Sequence, residues 1–182
     1  SDTGDIAVNG KPFTLLIADD ETMILHGLAS SIPWSSINVR VVAQELDGLA
    51  ALRALSQTKP DIAIVDICMP RCDGLTLVEK ALEMGLDTTF IILSGHDDLA
   101  HAQRAIRCGV TAYLLKPINK QELLNAVSEQ CEKRRARTEK LADGQQTGER
   151  PHVSDGALLG QIVADVAGER LRDEEEIRTQ MA

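Results

Sequence analysis

The sequence predicts a doubly wound parallel α/β sheet, and three observations carry that prediction. Five short apolar runs rich in β-branched residues alternate strictly with five stretches of helical period. The runs are apolar at almost every position rather than at every second one, as befits strands covered on both faces. Four of them close on a carboxylate, a hydroxyl or an ammonium, which places polar chemistry at strand ends rather than along a strand.

The elements follow in order. FTLLIA at 13–18 is the first strand; it runs into Asp19-Asp20-Glu21, and Thr22 opens a helix over 22–32. INVRVVAQ at 37–44 is the second strand, with a helix over 48–58 after it. DIAIVD at 61–66 is the third, and the Asp73-Gly74 turn starts a helix over 74–84. TTFIILS at 88–94 ends in Ser94 and precedes a helix over 98–108. TAYLLK at 111–116 ends in Lys116-Pro117, and the last helix covers 120–137, continuing towards 140 through the charged stretch CEKRRARTEK. Residues 1–12 read as a disordered lead, 13–140 as the domain and 141–156, with its ADGQQTGERPHVSDG run, as a linker. Leu158, Leu159, Ile162, Val163 and Val166 form one stripe, so 157–182 reads as a helical extension. A piece of that size cannot bury a core alone, and it must pack on the domain, dimerise or lead into something further.

Composition narrows the function. The 182 residues are 43% hydrophobic and 26% charged, within the globular range, with a net charge of −9. Four aromatics (Phe13, Trp34, Phe90, Tyr113) and the acidic balance argue against a nucleic-acid surface in this stretch. No apolar run approaches the ~20 residues that span a bilayer, and the start is acidic where a secretory signal is basic, so no membrane contact and a cytoplasmic location are expected. Cys68, Cys72, Cys108 and Cys131 lack the paired spacing of a zinc site and read as reduced thiols.

Ligands of a doubly wound sheet bind outside the carboxyl ends of the strands. There this sequence collects Asp19, Asp20, Asp66, Ser94 and Lys116. Crowded carboxylates raise one another's pKa unless a cation sits among them, and hard oxygen ligands select a hard ion such as Mg²⁺, which shares carboxylates with phosphate oxygens. Each residue alone has a bland reading: an Asp pair caps a helix, a Lys-Pro makes a turn, a Ser-Gly starts one. Their joint placement at four strand ends is what those readings do not supply.

LLIADDE, DIAIVDICMPRCDGL, FIILSG and AYLLKPI, in this order and spacing, resemble the receiver domain of two-component response regulators over residues 13 to about 135. The resemblance implies a five-stranded flavodoxin-like sheet of order 2-1-3-4-5. It implies Asp66 as phosphoacceptor, with Mg²⁺ held by Asp20, Asp66 and the backbone carbonyl of Cys68, Asp19 acting mainly through water. Lys116 would pair with phosphoryl oxygens, Ser94 would hydrogen-bond one of them, and Tyr113 would follow Ser94 inward as a switch. Pro117 would follow a cis peptide bond. The implied partner is a sensor histidine kinase, with a homodimer as a further expectation, and the chain would be a phosphoacceptor rather than an enzyme. SGHDDLAHAQRAI and ICMPRCDG are similar to regulators with an AraC-type helix-turn-helix output, so DNA contact is expected only through such a domain beyond this sequence, truncated from it.

The rival is a haloacid-dehalogenase-like phosphatase with Asp19 as nucleophile and Ser94 and Lys116 in support. It wants Asp-x-Asp or Asp-x-Thr where this chain has Asp19-Asp20-Glu21, and it leaves Asp66 unexplained.

Overall fold

A computed structural model describes residues 10–95 and 99–143. Its five strands are β1 (Phe13–Ala18), β2 (Val39–Glu45), β3 (Ile62–Asp66), β4 (Thr89–Ser94) and β5 (Ala112–Leu115). They pair in parallel in the order β2-β1-β3-β4-β5. The connecting helices are α1 (Thr22–Ser30), α2 (Gly48–Thr58), α3 (Gly74–Glu83), α4 (Leu99–Arg107) and α5 (Lys120–Ala142). The doubly wound sheet and its strand order are therefore as the sequence implies.

Successive strand residues feed opposite cores, the reason the runs lack alternation. Leu16, Ala18, Val65 and Ile92 face the α2–α3 side with Leu55, Leu75 and Val78. Leu15, Ile17, Ile64 and Ile91 face the α1–α5 side with Leu25, Leu28, Leu123 and Val127. Every residue of β3 is buried, so this central strand has no face that could tolerate a polar position before its last residue, Asp66.

β2 begins two residues later than the apolar run suggests. Trp34–Ile37 form a 3-10 turn, and the buried Trp34 indole donates from Nε1 to the Leu28 carbonyl at 2.9 Å. Asn38 then takes a left-handed φ of 57°, and its geometry redirects the chain into β2. A large aromatic with a satisfied N–H anchors this corner, and Ile37 is spent on the turn.

Asp47, Asp73 and Asn119 cap α2, α3 and α5 by accepting backbone N–H groups of the first turn. At the opposite edge of the sheet Asp61 accepts from the N–H and hydroxyl of Thr14, at 2.8 and 3.0 Å. Arg134 of α5 reaches the same edge, donating to the Asp87 carbonyl at 2.9 Å and to Thr89 Oγ1 at 3.1 Å. α5 buries Leu123, Val127, Gln130 and Cys131 and then runs exposed to Ala142. The 1–9 part of the lead, nearly all of the linker and the whole 157–182 extension lie outside the described residues. Among the described residues, no helix is long and apolar enough to cross a membrane.

Candidate functional site

β1 hands its last residue to a tight corner. The Asp19 N–H donates to the Glu45 carbonyl at 3.1 Å, and Asp19 Oδ1 accepts the Glu21 N–H at 2.9 Å. The Asp19 side chain is fully buried, whereas Asp20 is exposed at the rim. β3 delivers Asp66, also buried, and the chain turns at once: the Met69 and Gly74 N–H groups both donate to the Ile67 carbonyl. Gly74 is required here, because a Cβ would stand 2.2 Å from the Asp66 carbonyl oxygen.

The turn between β3 and α3 is held from outside as well. Arg71, at a left-handed φ of 67°, pairs with Asp47, and Gly48 N–H donates to the Pro70 carbonyl at 3.3 Å. A Cβ on Gly48 would stand 1.8 Å from the Cys72 carbonyl oxygen, so α2 presses its first turn directly on this loop.

Lys116, from the end of β5, crosses into the cluster. Its Nζ lies 2.9 Å from Asp19 Oδ2, 3.1 Å from Asp66 Oδ1 and 3.3 Å from Glu21 Oε1. The Lys116–Pro117 peptide is cis. Ser94 closes β4, buried, and sits opposite Leu115 in the register. Tyr113, opposite Ile92, packs half-buried against the α2–α3 side of the core.

The electrostatics follow from this geometry. Burial pushes the Asp66 carboxyl up to about 6; Lys116 opposes the rise, and Asp19 and Asp20 add to it. Burial works against the Lys116 charge, but Asp19 and Asp66 outweigh it and hold the ammonium above the usual lysine range. Carboxylate oxygens of Asp19, Asp20 and Asp66 all lie within 4.8 Å of one another. Three hard anionic donors at that spacing carry more negative charge than one lysine neutralises, a donor set that fits a small divalent cation. Cys68 follows two residues after Asp66 with an exposed side chain; desolvation, Asp66 and Asp20 push its thiol up. Cys68, Cys72, Cys108 and Cys131 form no disulfide in the structure.

The structure thus brings Asp19, Asp20, Asp66 and Lys116 together and sets Ser94 on the neighbouring strand end. Sequence reasoning missed Glu21 as a partner of Lys116. Its position beside the Asp pair was the available signal, but the contact joins residues 95 apart and leaves no local trace.

A parallel sheet of order β2-β1-β3-β4-β5 thus gathers three carboxylates and a lysine at its carboxyl edge. Residues 15–128 match the response regulator receiver domain, and the chain belongs to that family. It is 36% identical over 117 residues to the transcriptional regulatory protein YesN of Bacillus subtilis, covering 64% of this chain and 32% of that protein. It is 37% identical over 111 residues to the transcriptional regulatory protein HptR of Staphylococcus aureus, covering 61% and 43%. The REC domain of AraT, a response regulator of Geobacillus stearothermophilus, superposes with a TM-score of 0.62 at 40% identity, over 68% of this chain and 98% of that one. The receiver domain of NarL from Mycobacterium tuberculosis gives 0.62 at 28% identity, over 66% and 96%. The chain spans about a third to a half of the length of the curated relatives it matches. The chain belongs to the receiver family, whereas the phosphatase reading leaves Asp66 unexplained. In addition, the Asp19 nucleophile that reading requires has both oxygens engaged in a fully buried side chain, one by the Glu21 N–H and one by Lys116.

Proposed function

We propose that this chain accepts a phosphoryl group from a sensor histidine kinase onto Asp66 and passes the change to an output that regulates transcription. The observation that carries this reading is the Lys116 ammonium 3.1 Å from Asp66 Oδ1 inside a triad of carboxylates at the strand ends. In the transfer an Asp66 oxygen forms a bond to phosphorus as the phosphorus–nitrogen bond to the kinase histidine breaks. Asp19, Asp20, Asp66 and the Cys68 carbonyl are the groups that would hold Mg²⁺. The ion, when bound, supplies positive charge to the phosphoryl oxygens.

The remaining work falls to the chain. Lys116 neutralises an incoming phosphoryl oxygen, exchanging one carboxylate partner for another anion without leaving its place. The Ser94 hydroxyl donates to a second oxygen, and Tyr113 follows it, which biases the face formed by α4, β5 and α5. The protein takes up one phosphoryl group and later loses it to water, and so is a stoichiometric acceptor rather than a turnover enzyme. The names of YesN and HptR support a transcriptional output, with any DNA contact made by a domain outside this sequence, of AraC type in our reading. That role places the chain in the cytoplasm, as a monomer or a homodimer.

Incubation with acetyl phosphate and Mg²⁺ tests the reading. A mass gain of one phosphoryl group, stable to acid, labile to alkali and mapped to Asp66, is expected. An adduct that persists undiminished in Asp66→Asn overturns the assignment.

A further inference from the structure

Arg104 of α4 gathers the polar side chains of α3 around one guanidinium. Its Nε and Nη2 donate to the two Glu79 carboxylate oxygens at 3.0 and 2.7 Å, and Nη2 donates to Thr76 Oγ1 at 2.9 Å. Its Nη1 lies 3.5 Å from Asp73 Oδ1. Just beyond α4, the Cys108 thiol donates to Glu79 Oε1 at 3.5 Å.

The α3 side of this cluster is fixed. Leu75, Leu77, Val78 and Ala81 are completely buried, so Thr76 and Glu79 ride on a helix locked into the core. Asp73 caps that helix, accepting from the Thr76 N–H at 2.9 Å and its hydroxyl at 2.6 Å. It is also the last residue of the turn that leaves Asp66, next to the glycine that touches the Asp66 carbonyl.

The α4 side is weakly held by apolar contact. Ala102 and Ala105 are its buried residues, while Leu99 at its start is 42% exposed. Two methyl groups stabilise a helix position far less than the leucines and valine of α3 do. A two-pronged guanidinium–carboxylate contact, in contrast, is demanding in geometry, and a small displacement of either side breaks one prong.

We propose that Arg104 is a clasp that sets the resting position of α4 against α3 and ties it to the turn following Asp66, so that rearrangement of that turn releases α4. The releasing half of the proposal rests on the receiver reading; the resting half does not. Cys108 is its built-in reporter. Burial, with the bond to Glu79, pushes this thiol up to about 11, so it is protonated and slow to alkylate while the clasp is closed.

The test is iodoacetamide alkylation of the full chain, mapped by peptide mass, beside amide hydrogen exchange over 99–107. Without phosphodonor, Arg104→Gln, which leaves the Cys108–Glu79 bond its own partners, should alkylate at Cys108 about three to ten times faster than wild type, the range for a partly exposed forked pair. Arg104→Lys, which keeps the charge and loses the fork, should fall between. Wild-type rates at Cys108 and in α4 exchange for Arg104→Gln overturn the clasp. So does an equal gain at Cys131, which is buried on the other face and would report loosening of the whole fold. Acetyl phosphate with Mg²⁺ should raise Cys108 alkylation in wild type and leave Arg104→Gln nearly unchanged. A phosphorylated wild type with unaltered Cys108 overturns the releasing half. Failure to take up a phosphoryl group counts against the receiver reading instead, and the resting comparison still decides the clasp.

Discussion

The backbone N–H of Lys116 donates to the carbonyl of Ser94 at 2.7 Å, joining the cation and the hydroxyl of the site across the ends of β4 and β5. The two side chains that would meet a phosphoryl group are therefore mounted on one rigid rung of the sheet.

Removing the ammonium should be costly before any phosphoryl chemistry is considered. Lys116→Ala leaves Asp19 and Asp66 buried without their cation, and a loss of about 2–4 kcal/mol at neutral pH in EDTA is expected. Asp19→Asn in the same background should recover much of it. Denaturant unfolding measures both, and a Lys116→Ala midpoint equal to wild type contradicts the ion pairs.

The raised Asp66 carboxyl has a signed pH signature. Its value is about 6 in the fold against 3.8 for an ordinary Asp, so between these the folded chain holds a proton that the unfolded chain has released. The stability this proton confers is full below about pH 4 and is lost as pH rises to about 6, on the order of 1–3 kcal/mol in total. Asp66→Asn lacks the titration. The unfolding free energy of wild type minus that of Asp66→Asn, measured in EDTA, should fall across this window and level above it; a difference that climbs with pH has the wrong sign.

Millimolar Mg²⁺ should raise the melting temperature, since only the folded chain gathers the three carboxylates. At ten times the dissociation constant the gain is about 1.4 kcal/mol. Asp20→Asn removes an exposed carboxylate, so its metal-free stability should stay within about 0.5 kcal/mol of wild type while its response to the ion shrinks. Equal shifts in both proteins would remove Asp20 from the ligand set.

Gly74→Ala tests the turn rather than the charges. A Cβ placed 2.2 Å from the Asp66 carbonyl oxygen forces backbone to move, with an expected loss of about 2–3 kcal/mol and slower labelling by acetyl phosphate. Wild-type stability and labelling together would show that the close approach is not needed.

The sheet and the acidic centre were legible in the sequence because each rests on a local signal. β3 is apolar throughout and stops on Asp66; β1 stops before an Asp pair; β5 stops before Lys116-Pro117. The boundary of β2 was misread because Ile37 looks like strand, and only the Trp34–Leu28 hydrogen bond assigns it to a turn. Glu21 on Lys116, Arg71 on Asp47 and Arg104 on Glu79 were invisible for a common reason. Each is an ion pair between elements distant in sequence, made by charged residues that periodicity reads as solvated face.

The Thr14–Asp61 bonds and the Arg134 contacts lie at the edge of the sheet opposite Asp66. There a carboxylate ties β1 to the start of β3, and a guanidinium ties α5 to the start of β4. The domain thus has an anchored pole, tied across elements by side chains, and an opposite pole that carries the three carboxylates and Lys116. α5 packs Leu123, Val127 and Cys131 on the sheet and meets the tied end at Arg134 and Arg137, so its final turn stands exposed beyond the anchored pole.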